Sequence, residues 1–149
     1  MSNTTLDENE IINILSKGTL KTPLFTLEGL ECKAKCVKCY DADTIHIVLY
    51  FNGKLQRFVC RLMGIDSAEI RSKNSVEKIH AKAGRDYLKE KILNNIIDIE
   101  CFEFDKYGRL LIDIYYNGEN MNDAIITKGY AYKYTGGKKK KFEEWYTVK

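Results

Sequence analysis

The sequence predicts an α+β fold, a five-stranded β-barrel of the OB type with about three packed helices. Three observations support this fold. A meander of three strands opens the folded part of the chain, one helix interrupts the strands, and two more strands follow before the last helices. Five strands interrupted by a helix in this order are typical of a partly open OB barrel with helices on one side.

The three-stranded meander is predicted from residue alternation and β-branched residues. From Cys32 to Cys36, apolar residues alternate with lysines, so one face of the first strand is dry. Residues 44–51 form the second strand, which is rich in Ile, Val and Tyr. An Asn-Gly pair then predicts a hairpin, because both residues tolerate positive φ, and 55–65 is the predicted return strand.

Helical spacing and turn residues predict the second half. A helix is predicted over 76–94, with its apolar face formed by Val76, Ile79, Ala83, Tyr87 and Leu88. Strands 96–104 and 109–116 are joined by a turn at 105–108. A helix then begins near Asn120 and ends at Gly129, a favourable residue after a helix end, and a last short helix spans 140–146.

Residues 1–28 are predicted to form a short N-terminal extension, and residues 29–149 the barrel domain. A short helix is predicted within 7–16, where an acidic first turn precedes several isoleucines. Pro23, the only proline of the chain, follows Thr22 and excludes a helix there.

Composition restricts the class of protein only loosely. The 149 residues suffice for one domain with a core, and a net charge of +3 permits a nucleic-acid partner without requiring one. The run of lysines at 138–141 is compatible with a solvated loop, a nuclear-localisation patch or a phosphate contact. No apolar stretch is long enough to predict a membrane span, and the acidic start lacks the features of a secretory signal. Since five cysteines, an odd number, favour reduced thiols, we expect an intracellular protein, cytoplasmic or nuclear. We also expect it to be a monomer.

Carboxylates and arginines lie at predicted strand ends and turns, where a meander could bring them together. Asp43 follows the first strand, and Asp66 and Glu69 follow the third. Such oxygen ligands suit a hard divalent cation, although a solvated acidic cluster is the simpler alternative. Arg61 lies within an apolar strand and must face either solvent or a partner, and Arg109 begins a later strand. Arginine binds phosphate oxygens through a planar fork. Together these residues are what phosphodiester cleavage requires.

Four segments together resemble the active-site blocks of the staphylococcal (micrococcal) nuclease family. Each segment alone is weak evidence, but their order and spacing match, and the resemblance covers roughly residues 30–146. The family fold, an OB barrel with three helices, agrees with the fold predicted above. The segments are Asp43-Thr44, Arg61-Leu62, Asp66-Ser67-Ala68-Glu69 and Asp105-Lys106-Tyr107-Gly108-Arg109.

The resemblance implies a role for each of nine residues. Asp43, Asp66 and the backbone carbonyl of Ser67 correspond to the ligands of Ca²⁺, for which another divalent cation could substitute. Glu69 corresponds to the proposed general base. The phosphate-clamping arginines correspond to Arg61 and Arg109, and the substrate-binding residues to Lys106, Tyr107 and Tyr134.

The implied activity is hydrolysis of DNA and RNA by water attack on phosphorus, with little sugar specificity and 3′-phosphate products. The alternative is a non-catalytic OB-fold module that binds nucleic acid or protein; related scaffold domains of that kind lose the acids and arginines. Two departures from the family pattern concern loop rigidity: Ala42 stands where glycine is usual, and Ala68 where proline is usual.

Overall fold

The computed structural model describes residues 5–146, which contain four helices and eight strands. In chain order, these are α1 (Glu8–Leu15), β1 (Glu31–Cys39), β2 (Thr44–Phe51), β3 (Lys54–Leu62), β4 (Ile65–Ser67), α2 (Ser75–Ile92), β5 (Ile96–Phe104), β6 (Leu110–Tyr116), β7 (Glu119–Asn120), α3 (Met121–Thr127), β8 (Ala131–Lys133) and α4 (Phe142–Trp145).

Strands β1, β2, β3, β5 and β6 close into a barrel. Neighbouring strands pair antiparallel in the order β3-β2-β1-β5-β6. The ends of this order join through a parallel pairing of β3 with β6, in which Arg61 is the partner of Leu111. The predicted α+β fold with a five-stranded OB-type barrel is confirmed.

The interior of the barrel is filled by isoleucine and leucine side chains that alternate along the strands. Six of the fully buried ones are Ile45, Ile47, Leu62, Ile97, Ile112 and Ile114. Burying each such side chain contributes about 1.5–3 kcal/mol, so this core fixes the strands whose ends and turns carry polar side chains.

Strand β3 ends earlier than the sequence predicts. A turn at Gly64, where φ is +77°, separates β3 from β4. Strand β4 then pairs antiparallel with β8, and Asp66 lies opposite Tyr132. This two-stranded sheet was not predicted, because each of its strands has only three residues.

Helix α2 packs on the barrel through a face that matches the predicted one only in part, since Leu88 is buried as expected. Val76 and Ile79, which we expected to be apolar contacts, are 50% and 69% exposed. The buried residues of α2 are Ala81, Gly84, Leu88 and Ile92. A Cβ atom added at Gly84 would lie 3.0 Å from the Cβ of Ala42, so the small residues of α2 permit a close approach to the turn between β1 and β2.

The N-terminal segment meets the barrel just before β1. None of the residues of α1 is buried, although Asp7 and Glu10 form a capping box at its start. The ring of Phe25 packs near Phe51 and Phe104, with centroid distances of 6.4 and 6.3 Å, and Leu27 is buried in the core.

Two further expectations can be compared with the structure. Over residues 5–146, no helix combines the length and the hydropathy that a membrane span requires. Ala42 is not among the residues with positive φ, which apart from glycines are three asparagines in the described range. Alanine therefore causes no backbone strain at the position where the family usually has glycine.

Candidate active site

Arg61 lies between two buried carboxylates at the end of β3. Its Nη2 donates to Asp66 Oδ1 at 3.0 Å and to the carbonyl oxygen of Ile65 at 3.0 Å. Its Nη1 is 3.4 Å from Asp43 Oδ2. The side chain of Arg61 is 11% exposed, and those of Asp43 and Asp66 are each 6% exposed. The outward-facing alternative for Arg61 is therefore wrong.

Asp43 is held by hydrogen bonds from three directions in the turn between β1 and β2. Its Oδ1 accepts from the Thr44 hydroxyl at 2.8 Å, and its Oδ2 accepts from the backbone N–H of Ser67 at 3.2 Å. Its own N–H donates to Asp41 Oδ1 at 3.0 Å. Burial alone would raise the pKa of Asp43, but the Arg61 guanidinium and these hydrogen bonds hold it below the usual value, so Asp43 is ionised.

Asp66 is fixed from the side opposite Arg61 by Tyr132. The Tyr132 hydroxyl donates to Asp66 Oδ2 at 2.8 Å and accepts from the backbone N–H of Lys140 at 2.9 Å. Burial, together with the bond to Asp66, raises the pKa of Tyr132 to about 12, so the hydroxyl remains a donor. Sequence reasoning selected Tyr134 and missed Tyr132. The two-residue spacing on a strand, which places both on one side, was the signal that could have found it.

Glu69 follows β4 and is more open to solvent than the other acids. Its backbone N–H donates to Glu77 Oε2 at 3.1 Å. Partial desolvation raises the pKa of Glu69, and the nearby charges of Asp43 and Asp66 raise it further, whereas Lys139 opposes the shift. Glu69 is thus electrostatically coupled to the buried acids and is oriented by its own backbone rather than by a side-chain bond.

Arg109 is held in place by the turn that precedes β6. Its Nε donates to Asp105 Oδ2 at 2.7 Å, while Asp105 Oδ1 accepts from the backbone N–H groups of Tyr107 and Arg109, both at 2.9 Å. Gly108, with φ of +82°, allows this tight turn. The Lys106 ammonium and the Arg109 guanidinium lie 5.2 and 5.4 Å from the centroid of the Tyr107 ring.

Arg61 and Arg109 line one cleft of about 460 Å³, which we call the arginine cleft. Its other lining residues include Lys106, Tyr107, Tyr134 and Lys139. The fold thus places both arginines and all three predicted substrate-binding residues around one concavity. Glu69 does not line the cleft. Glu69 interacts electrostatically with the acids that contact Arg61 and with Lys139, which lines the cleft.

The acidic residues have the composition that a divalent cation requires. Four carboxylates, those of Asp41, Asp43, Asp66 and Glu69, interact with two cations, those of Arg61 and Lys139. Four negative and two positive charges leave two negative charges uncompensated when all groups are ionised.

The pKa of Asp41 reflects that imbalance. Burial, and then the charges of Asp43 and Glu69, raise it to about 8. The Ser67 hydroxyl oxygen beside these acids is buried and has no hydrogen-bond partner in the described range. Over residues 5–146, no three His, Cys, Asp or Glu side chains converge as a complete metal site. Calcium also accepts backbone carbonyl and water oxygens, so Asp43, Asp66 and the Ser67 carbonyl fit such an ion.

The family assignment follows from comparison with known proteins. The model of the family described as staphylococcal nuclease homologues matches residues 59–147, which is more than half of the chain. The chain belongs to the staphylococcal nuclease family. The matched region contains Arg61, Asp66, Glu69 and Arg109 and begins after Asp43.

Three curated proteins are similar in sequence to this chain; two are named as nucleases and one is uncharacterized. The chain is 32% identical over 124 residues to an uncharacterized protein of Methanocaldococcus jannaschii, covering 67% of this chain and 58% of the relative. It is 27% identical over 128 residues to Staphylococcal-like nuclease CAN1 of Arabidopsis thaliana (77% and 38%). It is 28% identical over 99 residues to the Thermonuclease of Staphylococcus hyicus (65% and 56%). The match thus spans between about two fifths and three fifths of each of these relatives.

Proposed function

We propose that the chain is a nuclease that hydrolyses DNA and RNA with the help of a divalent cation, Ca²⁺ being the expected one. The observation that carries the proposal is the position of Arg61, which contacts Asp43 and Asp66 and also lines a cleft with Arg109. The names of the Arabidopsis and Staphylococcus hyicus relatives, a nuclease and a thermonuclease, support it.

The substrate phosphodiester would bind in the arginine cleft. Arg109 contacts Asp105 through Nε, so this contact does not use its terminal amino groups. Arg61 and Arg109 would donate to the non-bridging phosphate oxygens in the bidentate manner that guanidinium groups favour. Lys106 adds a further cation, and the rings of Tyr107 and Tyr134 offer surfaces for the adjoining sugar or base.

Asp43, Asp66 and the carbonyl of Ser67 would hold the cation, which would supply positive charge beside the phosphate. The chain itself fixes these ligands in advance. Thr44 and the Ser67 N–H bind Asp43, and Tyr132 binds Asp66, so both carboxylates keep their orientation. A ligand set that is oriented before substrate arrives does not have to be ordered during the reaction.

Glu69 would accept the proton of the attacking water. Its pKa lies above the usual value, and a base with a pKa closer to the working pH is the more efficient catalyst. The water oxygen forms a bond to phosphorus and the bond from phosphorus to the 5′ oxygen breaks; the leaving oxygen takes a proton from solvent, which gives a 3′-phosphate and a 5′-hydroxyl. Charge that grows on the phosphoryl oxygens is stabilised by Arg61 and Arg109. Because water is the nucleophile, no 2′-hydroxyl is needed, and both DNA and RNA are substrates.

The test is degradation of plasmid DNA and of a single-stranded RNA by the purified chain with Ca²⁺ and with EDTA. We expect cleavage only with the divalent cation, and 3′-phosphate ends by mass spectrometry. The Arg109→Gln variant should lose most of the activity, and Arg71→Gln, which removes an exposed arginine, should retain it. Absence of cleavage by folded protein with every divalent cation tried would leave the non-catalytic OB-fold module as the explanation.

A further inference from the structure

A second, basic cleft shares no lining residue with the arginine cleft. It has a volume of about 340 Å³, and three of its lining residues are the cations Lys38, Arg85 and Lys89. Tyr40 and Ile70 line it as well. We call it the flanking cleft. No residue with a proposed role in catalysis or phosphate binding at the acids lines it.

The flanking cleft is adjacent to the acids through the chain itself. Tyr40 immediately precedes Asp41, and Ile70 immediately follows Glu69. Asp41 and Glu69 in turn interact electrostatically with one another and with Asp43, which contacts Arg61 of the arginine cleft. The acidic residues are therefore linked to two concave surfaces, each of which is lined by several cations.

The cations of the flanking cleft continue along one face of α2. Lys78, Lys82, Arg85 and Lys89 recur at helical spacing and form a basic stripe beside the buried face. The three lysines are exposed. Arg85 contacts Asp86 through Nε at 3.1 Å, so this contact does not use its terminal amino groups. With a net charge of only +3, such a stripe reflects local placement rather than overall basic composition.

Helix α2 holds this stripe at a fixed position relative to the acids. Gly84 packs against Ala42, the residue between Asp41 and Asp43. Since Arg85 follows Gly84 directly, the basic stripe passes the part of the helix that touches the acidic turn. A polymer chain bound at the acids would meet these cations as it leaves the site.

We propose that the flanking cleft binds the phosphate backbone of single-stranded nucleic acid beyond the scissile bond, outside the arginine cleft. The proposal rests on the proposed nuclease function, because it places the scissile phosphate at the acids. Lys38, Arg85 and Lys89 contact phosphates, and Tyr40 offers a ring for base stacking. A basic groove with an aromatic side chain is the usual arrangement for single strands bound without sequence preference. Polynucleotides therefore bind across both clefts, whereas a single nucleotide occupies the arginine cleft alone.

The test compares two triple variants that change net charge equally. Lys38→Gln/Arg85→Gln/Lys89→Gln removes the cations of the flanking cleft. Lys54→Gln/Lys91→Gln/Lys128→Gln removes three exposed lysines that line neither cleft. Binding of a fluorescein-labelled 20-nucleotide oligo(dT) is followed by anisotropy in EDTA, so that cleavage does not interfere. Binding of a nucleoside 3′,5′-bisphosphate is measured by calorimetry as the probe for the arginine cleft alone.

We expect the flanking-cleft variant to bind the oligonucleotide about tenfold or more weakly at low salt, with a salt dependence of log K reduced by about 2, since each phosphate contact contributes about 0.7. Its affinity for the bisphosphate should equal that of the wild type, and the control variant should retain most of its oligonucleotide affinity.

Three outcomes would overturn the proposal: equal losses in the two triple variants, an equal loss for both ligands, or no oligonucleotide binding by the wild type. Melting temperatures verify folding, and the double variant Lys38→Gln/Lys89→Gln, which retains the half-buried Arg85, should show the same selective loss to a smaller extent. Failure of the nuclease proposal itself would give a different result: the wild type would bind the oligonucleotide across both clefts but would not cleave it with any divalent cation.

Discussion

The ammonium group of Lys139 lies 3.5 Å from Asp66 Oδ1, the carboxylate oxygen that also accepts from Arg61 Nη2. Lys139 also lines the arginine cleft and lies 5.9 Å from the centroid of the Tyr134 ring. One lysine of the basic run at 138–141 is therefore part of the candidate active site, where it contacts a proposed metal ligand and lines the arginine cleft.

Lys139→Gln should strengthen cation binding and weaken substrate binding. Lys139 partly neutralises Asp66, so its removal leaves more negative charge for Ca²⁺, while the cleft loses a cation. Because its side chain is 47% exposed, we expect changes of about two- to fivefold in each affinity. Calorimetric titration with Ca²⁺ alone and with a nucleotide in EDTA measures them separately. The neighbouring Lys138→Gln is the matched control, and equal effects of the two variants would contradict the assignment.

Removal of the two arginines should differ in its effect on stability. Arg109→Gln is expected to lower the rate about 10²–10³-fold with little change in melting temperature, because Arg109 contacts a carboxylate at a turn. Arg61→Gln should lose a similar rate and also about 3–5 kcal/mol of stability, since it leaves Asp43 and Asp66 buried without their partner. Denaturant titration and initial rates on single-stranded DNA check both. Equal stability of the two variants would show that Arg61 is not needed to balance these acids.

Glu69→Gln should keep the fold and nucleic-acid binding but lose most of the turnover. Glutamine has nearly the same shape but cannot accept the proton from water. We expect oligonucleotide affinity in EDTA within about twofold of the wild type and a rate lowered by about two orders of magnitude or more. Glu77→Gln, which changes the neighbouring acid that accepts the Glu69 N–H, serves as the comparison. Near-normal turnover of Glu69→Gln would remove Glu69 from the role of general base.

Asp41→Asn should stabilise the cation-free protein at high pH. The pKa of Asp41 is about 8 in the folded chain against an ordinary 3.8, so the folded state binds this proton more tightly than the unfolded state. Asp41 therefore lowers stability increasingly as pH rises from about 4 to about 8. Asparagine still accepts from the Asp43 N–H.

The free energy of unfolding of Asp41→Asn should exceed that of the wild type by about 1 kcal/mol or more at pH 9. The difference should vanish near pH 4 and should narrow when Ca²⁺ neutralises the acids. Glu90→Gln, an exposed substitution, controls for net charge. A gain that is independent of pH would show that ionisation of Asp41 is not its cause.

Much of the barrel could be predicted from the sequence, because its strands alternate strictly and end at strong turn residues. Strands 44–51 and 96–104 match the structure to the residue. The pairing of β4 with β8 could not be found in this way, since three-residue strands carry almost no periodic signal. The buried face of α2 was predicted only in part, for a different reason. Leu88 was expected, but Ala81 and Gly84 are also buried, and a glycine contributes nothing to an apolar pattern.

The candidate site could be predicted only as far as short motifs extend. Asp43, Arg61 and Asp66 lie together as expected, because they flank the ends of paired strands. Tyr132 belongs to the site because β8 pairs with β4, and Lys139 lies in the loop after β8. No local sequence pattern predicts either placement. The ionisation of the acidic residues likewise depends on which side chains are close together in the folded chain, and the sequence alone does not give these neighbours.

The close approach of Gly84 to Ala42 has a consequence for exchanging parts between homologues. A side chain added at 84 would meet Ala42 and also the Cβ of Tyr130, at 3.0 and 3.1 Å. Positions 42 and 84 consequently share one small volume, and neither can grow unless the other shrinks. If α2 is replaced by the helix of a homologue with a bulkier residue at position 84, the turn at Ala42 should be displaced. The turn and the helix therefore have to be exchanged together.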